Sequence, residues 1–179
     1  MYRDKTLIPT EAIRLCALGI LAGGPAHYAD LANEVRNFAS RIMGPSLDVL
    51  GPSLELLKLE GLVKADAVAA ERGNPKIRIT EAGMKALHEL LRSNVRAPVD
   101  DVNKLVIALK MRFLHMLDHT QRQAEIEALI DLSDQELARL EDLRGQDCAG
   151  ESYLADWLDH EITQAESRRS FLTAYRDRV

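Results

Sequence analysis

The sequence predicts a mainly α protein in two parts. Three short helices, a two-stranded hairpin and a linking helix come first, and a second segment is helical throughout. Three observations carry this. Aromatic residues make up only 4% of the chain while Leu and Ala recur, a composition that favours helix. Apolar residues fall at helical spacing in every long segment and alternate only in two short ones, LVKADAV and KIRIT. Charge is unevenly placed: residues 1–98 hold 13 Lys+Arg against 11 Asp+Glu, and residues 99–179 hold 10 against 17. That asymmetry argues for two domains, 1–98 and 99–179, with different partners.

Each element has a local reason. Thr10 before EAIRLCALGILA reads as a hydroxyl cap with an acid in the first turn, and Gly23-Gly24-Pro25 stops the helix. A second helix, roughly 27–40, carries Leu31, Val35 and Phe38. Gly44-Pro45-Ser46 breaks the chain again, and Ser46 is placed to cap the third helix, SLDVLGPSLELLKLE. Pro52 should bend that helix for want of an amide hydrogen, and Gly61 should end it. The two strands follow, joined by the turn-rich AAERGNP, and Thr80 caps a fourth helix, EAGMKALHELLRS. NVRAPVDD (94–101) reads as a linker.

Beyond the linker, one apolar stripe runs from Val102 through Leu105, Leu109 and Phe113 and is expected to continue through Ile126 to Ile130 as a single long helix. Ser133-Asp134-Gln135-Glu136 has capping-box spacing and is expected to start another. The last helix begins at Tyr153, with Leu154, Trp157, Leu158 and Ile162 on one side. A stripe on so long a helix must be buried somewhere. A two-fold dimer offers more cover than the segment can provide for itself, so Leu105, Leu109, Phe113, Leu154, Trp157, Leu158 and Ile162 are the expected dimerisation residues.

Three helices followed by a basic hairpin describe a winged helix. In that fold the third helix enters the major groove of duplex DNA and the wing lies along the backbone. The turn RGNPKIRITEAG (72–83) collects Arg72, Asn74, Lys76 and Arg78 where a wing would meet phosphate. On an isolated hairpin, such charges would serve only to discourage edge pairing. The candidate DNA contacts are therefore Arg41, Ser46, Val49, Ser53, Lys58, Arg72, Asn74, Lys76 and Arg78.

The first 98 residues resemble the PadR family of bacterial transcriptional regulators. The matching pieces are LGILAGGPAH (18–27), GPSL (44–47), LKLEGLV (57–63) and, most specifically, RITEAG (78–83). The helical second half looks like the longer, virulence-activator-like branch. The resemblance implies a homodimeric regulator whose winged-helix heads bind a partly palindromic operator and whose C-terminal helices make the dimer. It also admits release by a small-molecule effector. The sequence departs from the family at Gly51, where a Tyr is usual, and at Leu54-Glu55-Leu56-Leu57, where a basic residue is common. Glu55 and Asp48 would oppose phosphate.

Other function classes find little support. His115 and His119 stand four apart beside Asp118, a spacing that can hold zinc on a helix, but no third ligand lies nearby in sequence. Cys16, among Leu15, Ala17 and Leu18, and Cys148, after Asp147, both lack the cationic setting of a reactive thiolate. There is no nucleophile elbow and no phosphate-cradling glycine loop, so neither an enzyme nor a cofactor is expected. No apolar run approaches the roughly 20 residues that span a bilayer, and the expected location is cytoplasmic. The chief alternative is a winged-helix module that docks another protein. Exposure of both Leu56 and Leu59 on the third helix would favour it.

Overall fold

The computed structural model of the chain describes residues 7–43, 50–65, 75–95, 101–147 and 153–178. The expected sites Ser46, Val49, Arg72, Asn74 and Cys148 lie outside them. In chain order the elements are α1 (Pro9–Ala22), β1 (Ala26–His27), α2 (Tyr28–Met43), α3 (Leu50–Leu59), β2 (Val63–Ala65), β3 (Lys76–Ile79), α4 (Glu81–Leu91), α5 (Asp101–Phe113), a 3-10 turn (Leu114–Met116), α6 (His119–Asp147) and α7 (Tyr153–Arg176). The chain divides into two compact units, Met1–Asn94 with Val99–Met116, and Val95–Pro98 with Leu117–Val179. No described helix is long and apolar enough to cross a membrane.

The first unit is a winged helix built around α1. Leu15, Cys16, Ala17 and Leu18 are all buried, because α2, α3, α4, α5 and β3 pack against this helix. Its start differs from expectation: the helix begins at Pro9, one residue before Thr10, and the Glu11 carboxylate accepts the Ile8 amide hydrogen at 3.0 Å. Pro9 suits this first position, where its missing N–H has no helical partner to lose. Pro52 is the third residue of α3 as described, Leu50–Leu59.

A third strand joins the expected hairpin. β1 pairs antiparallel with β3 (Ala26 opposite Ile77, His27 opposite Lys76), and β3 pairs with β2 (Val63 opposite Ile79, Lys64 opposite Arg78), giving the order β1-β3-β2. The junction of α3, β2 and α4 is tightly specified. Gly61 adopts φ +71, and the Gly61 and Leu62 amides donate to the Lys58 and Leu57 carbonyls at 3.1 and 2.9 Å, closing α3 with a Schellman turn. Thr80 accepts the Gly83 amide hydrogen on its hydroxyl oxygen (3.0 Å) and caps α4 as expected. Its hydroxyl hydrogen points at the Gly61 and Leu62 carbonyls, 2.8 and 3.0 Å away. A Cβ on Gly83 would sit 2.1 Å from the Leu62 carbonyl oxygen, so only glycine lets α4 lie on this turn.

α5 groups with the first unit, although residues 99–179 were expected to form a domain of their own. Leu105, Leu109 and Phe113 are buried, and α5 packs on α1 and α2 within the first unit. The Phe113 ring occupies the space a Cβ of Gly19 would fill. The Arg112 guanidinium lies over the Phe38 ring at 4.8 Å and bonds Glu34 at 2.5 Å. These apolar side chains are buried within the N-terminal unit of their own chain. Lys110, 2% exposed, donates to the Leu91 carbonyl at 2.6 Å, placing a cation on the last carbonyls of α4, where the helix dipole favours it.

The expected long helix from 102 to 130 is broken. The 3-10 turn intervenes, and Asp118 starts α6: its carboxylate accepts the Gln121 amide hydrogen at 2.8 Å. Ser133 starts no helix. It is buried inside α6, and its hydroxyl donates back to the Leu129 carbonyl at 3.1 Å. α6 and α7 form an antiparallel hairpin with Leu158, Ala165 and Leu172 buried. Ion pairs Arg144–Asp159, Arg168–Glu136, Arg169–Asp134 and Arg176–Glu127 step along it in register.

Replacing Gly83 with Ala should destabilise the protein by about 1–3 kcal/mol, because the new methyl meets backbone that cannot yield. The same change at Gly145 in α6, which meets nothing within 4 Å, should be neutral or stabilise by up to about 1 kcal/mol through helix propensity. Denaturant unfolding of the two variants checks both.

Candidate nucleic-acid interface

The three-stranded sheet has two chemically different faces. Along β3, Lys76 and Arg78 are exposed while Ile77 and Ile79 are half-buried. The register places Lys64 of β2 directly opposite Arg78 and His27 of β1 opposite Lys76. Lys64 is exposed as well, so one face of the wing sheet carries Lys64, Lys76 and Arg78 together. Among the described residues, none of the three is held in an ion pair. Like charges set directly opposite one another destabilise a sheet, and an anion on that face would relieve the repulsion.

Lys64 is absent from the contacts expected from sequence. Its signal there is the alternation Val63-Lys64-Ala65, but only the cross-strand register brings it beside Arg78. Of the expected residues, Arg41 is exposed in the last turn of α2 and Lys58 in the last turn of α3. Ser53 belongs to α3, with its side chain outside the described residues.

Helix α3 faces the core with Leu54 and Leu57 and turns Glu55, Leu56, Lys58 and Leu59 outward. Leu56 is 44% exposed and Leu59 81% exposed. The acids beside them are occupied. Glu60 is paired with Arg14 of α1. Glu55 faces the Tyr28 hydroxyl, whose pKa is raised by partial burial of the ring and then by that hydrogen bond.

In the second unit the expected dimerisation residues part company. Leu158 is buried against α6 and Ile162 is half-buried, whereas Leu154 and Trp157 are exposed. A groove of about 490 Å³ between α6 and α7 is lined by Asp134, Glu141, Glu166 and Arg169 among others. Tyr153, Trp157 and Tyr175 do not line it.

His115 lies in the 3-10 turn and His119 opens α6, so the two do not share one helical face. Among the described residues, no group of His, Cys, Asp and Glu is arranged to hold a metal ion. Cys16 is fully buried in α1, and desolvation pushes its thiol from the ordinary 9.0 up to about 12, with Arg112 opposing weakly and Glu34 adding to the rise.

Residues 2–176 match the family model described as "Putative AphA-like transcriptional regulator". The chain belongs to that family. The assignment agrees with the regulator resemblance carried by residues 18–27 and 78–83. Solved structures similar in fold include the PadR-like transcriptional regulator BC1756 from Bacillus cereus, at 18% identity and a TM-score of 0.39 over 93% of this chain and 96% of that one. Bacillus subtilis PadR in complex with p-coumaric acid overlaps at 16% identity and a TM-score of 0.41, covering 96% and 97%. The same protein in complex with operator DNA overlaps at 16% and 0.38, covering 93% and 97%. With overlaps this loose, membership rests on the family model alone. Among curated proteins, none matches the chain.

In this AphA-like regulator, Cys16 should stay unreactive toward iodoacetamide at pH 8 in the folded protein and react only on unfolding, measured in a Cys148→Ser background. Because the folded thiol ionises later than the unfolded one, its contribution to stability is complete below about pH 9. It should be lost progressively as pH rises from 9 toward 12, and Cys16→Ala should remove that part of the pH dependence.

Proposed function

We propose that this AphA-like regulator binds duplex DNA in a sequence-specific way as a homodimer on a partly palindromic operator. The wing sheet and the N-terminal part of α3 form its reading head. The observation that carries this reading is the face of Lys64, Lys76 and Arg78, set side by side with no acidic partner among the described residues. Cations gathered on one face of an otherwise acidic chain suit phosphate, whose neutralisation releases counterions. Arg41 and Lys58 would add backbone contacts, as would Arg72 and Asn74 in the turn between β2 and β3. Ser46, Val49 and Ser53 at the start of the third helix would face the base edges. The second unit would join the two copies, and the reading admits a small-molecule effector that releases the operator.

A second reading is favoured by one observation. Leu56 and Leu59 are both exposed on α3, forming an apolar patch where phosphate contacts would be expected. On this reading, the C-terminal half of the helix docks another protein. The two readings separate cleanly on a heparin or bulk-DNA column at low salt, which retains the protein under the first and lets it pass under the second.

Replacing Lys64, Lys76 and Arg78 with Ala should weaken binding to operator and bulk DNA alike. It should also lower the slope of log K against log salt by about 2–3, at roughly 0.9 for each phosphate that is no longer neutralised. An operator selected from a random duplex pool with the purified protein supplies the probe. Unchanged affinity and slope would remove the wing from the interface.

A further inference from the structure

The outward side of α3 carries a chemistry that the wing sheet does not. Leu54 and Leu57 are turned to the core. At roughly 100° per residue, the positions farthest from that side are Glu55, Leu56 and Leu59. Leu56 and Leu59 stand one turn apart, 44% and 81% exposed, and Ser53 stands one turn before Leu56. The acids on this helix are held by its neighbours. Glu55 accepts a hydrogen bond from the hydroxyl of Tyr28, the first residue of α2, and Glu60 is paired with Arg14 of α1.

Glu55, Leu56 and Leu59 offer no donor for phosphate. They also cannot serve a guanine, whose O6 and N7 both accept and call for Arg or Lys. They suit pyrimidines. In the major groove a thymine presents its C5 methyl, which takes an apolar contact, and a cytosine presents its N4 amino group, a donor for a carboxylate. Leu56 and Leu59 lie about 4.5 Å apart along the helix axis, close to the roughly 3.4 Å step between bases of one strand. Two leucines fall far short of the roughly 800 Å² that each partner brings to a stable protein interface. Exposed cations border them, Lys58 on the same helix and Lys64 on the strand after the Gly61 turn, and that charge matches a duplex.

We propose that α3 reads pyrimidines: Leu56 and Leu59 seat on the C5 methyls of neighbouring thymines, and Glu55, steered by Tyr28, accepts the N4 hydrogen of an adjoining cytosine. This inference deepens the operator reading above and rests on it. Glu55 acts partly by exclusion. A thymine O4 or a guanine O6 at its position has no hydrogen to share with a carboxylate, so the acid that weakens bulk binding also separates one base from another.

The operator selected from the random duplex pool is the probe, with the full-length protein. Deoxyuridine in place of a single thymine removes one methyl and nothing else. At two neighbouring positions it should weaken binding about fourfold, the worth of one buried methyl group. Leu56→Ala and Leu59→Ala should each abolish that cost at one of the two positions and leave the salt slope as it was. Glu55→Ala should tighten binding to bulk DNA while erasing a cytosine preference in a repeated selection. Tyr28→Phe, which removes only the hydroxyl, should weaken that preference with bulk affinity unchanged. All four side chains are exposed, so the variants should keep the unmodified circular dichroism. Uracil without cost at every thymine, a half-site that contains no thymine, or a uracil cost that survives both leucine variants overturns the methyl contacts. A cytosine preference that survives Glu55→Ala overturns the part given to the carboxylate. In either case tight binding to the selected operator leaves the regulator reading standing. If the pool yields no enriched duplex, the regulator reading itself fails and takes this proposal with it, and Leu56 and Leu59 pass to the protein-docking reading.

Discussion

The winged-helix unit depends on the contact between the first turn of α4 and the carbonyl of Leu62. Gly83 allows it, and Thr80 secures it by capping the helix with one lone pair while its hydrogen reaches the turn at Gly61 and Leu62. Three chain segments are fixed there at once: the end of α3, the start of β2 and the start of α4. The cations of the wing hang from strands anchored at this point. Their placement relative to α3 is therefore set by backbone geometry and not by the long, flexible side chains themselves. Around the junction, α1 supplies the apolar hub that every other helix of the head covers.

Much of this was legible because it is local. Gly61 as a helix stop, Thr80 as a cap and the alternation of Ile77 and Ile79 are signals confined to a few residues, and each appears in the fold where expected. What was not legible depends on partners distant in the chain. β1 is two residues long and becomes a strand only because β3 offers its edge. The periodicity of Leu105, Leu109 and Phe113 announces a buried face without saying whose, and the small residue that receives the Phe113 ring is Gly19, far back in the sequence. Ser133 shows the opposite error. A capping-box spacing lay inside a helix, where the buried hydroxyl finds a carbonyl one turn earlier and the backbone continues undisturbed.

For the candidate site, the sequence marked Lys76 and Arg78 but overlooked Lys64, because no pattern along one strand reports what lies across from it. The same register explains why a basic face can persist on an acidic chain. Acids are plentiful on the hairpin of the second unit, where Asp134, Glu136 and Asp159 are taken up by arginines of α6 and α7. On the head, Arg14 and Arg112 engage Glu60 and Glu34. Neutralisation is arranged locally there, whereas Lys64, Lys76 and Arg78 have no ion-pair partner among the described residues.

The allegiance of α5 changes how the head can be isolated. Cutting the chain at the proline-containing stretch near residue 98, where composition suggests a seam, would strip Leu105, Val106, Leu109 and Phe113 from their seats on α1 and α2. Each such side chain contributes about 1.5–3 kcal/mol when buried, an amount that rivals the whole stability of a small domain. It would also bare the carbonyl end of α4 that Lys110 now covers. An excised head that keeps its shape must run through Met116, so the helix after the proline-containing stretch completes the first unit.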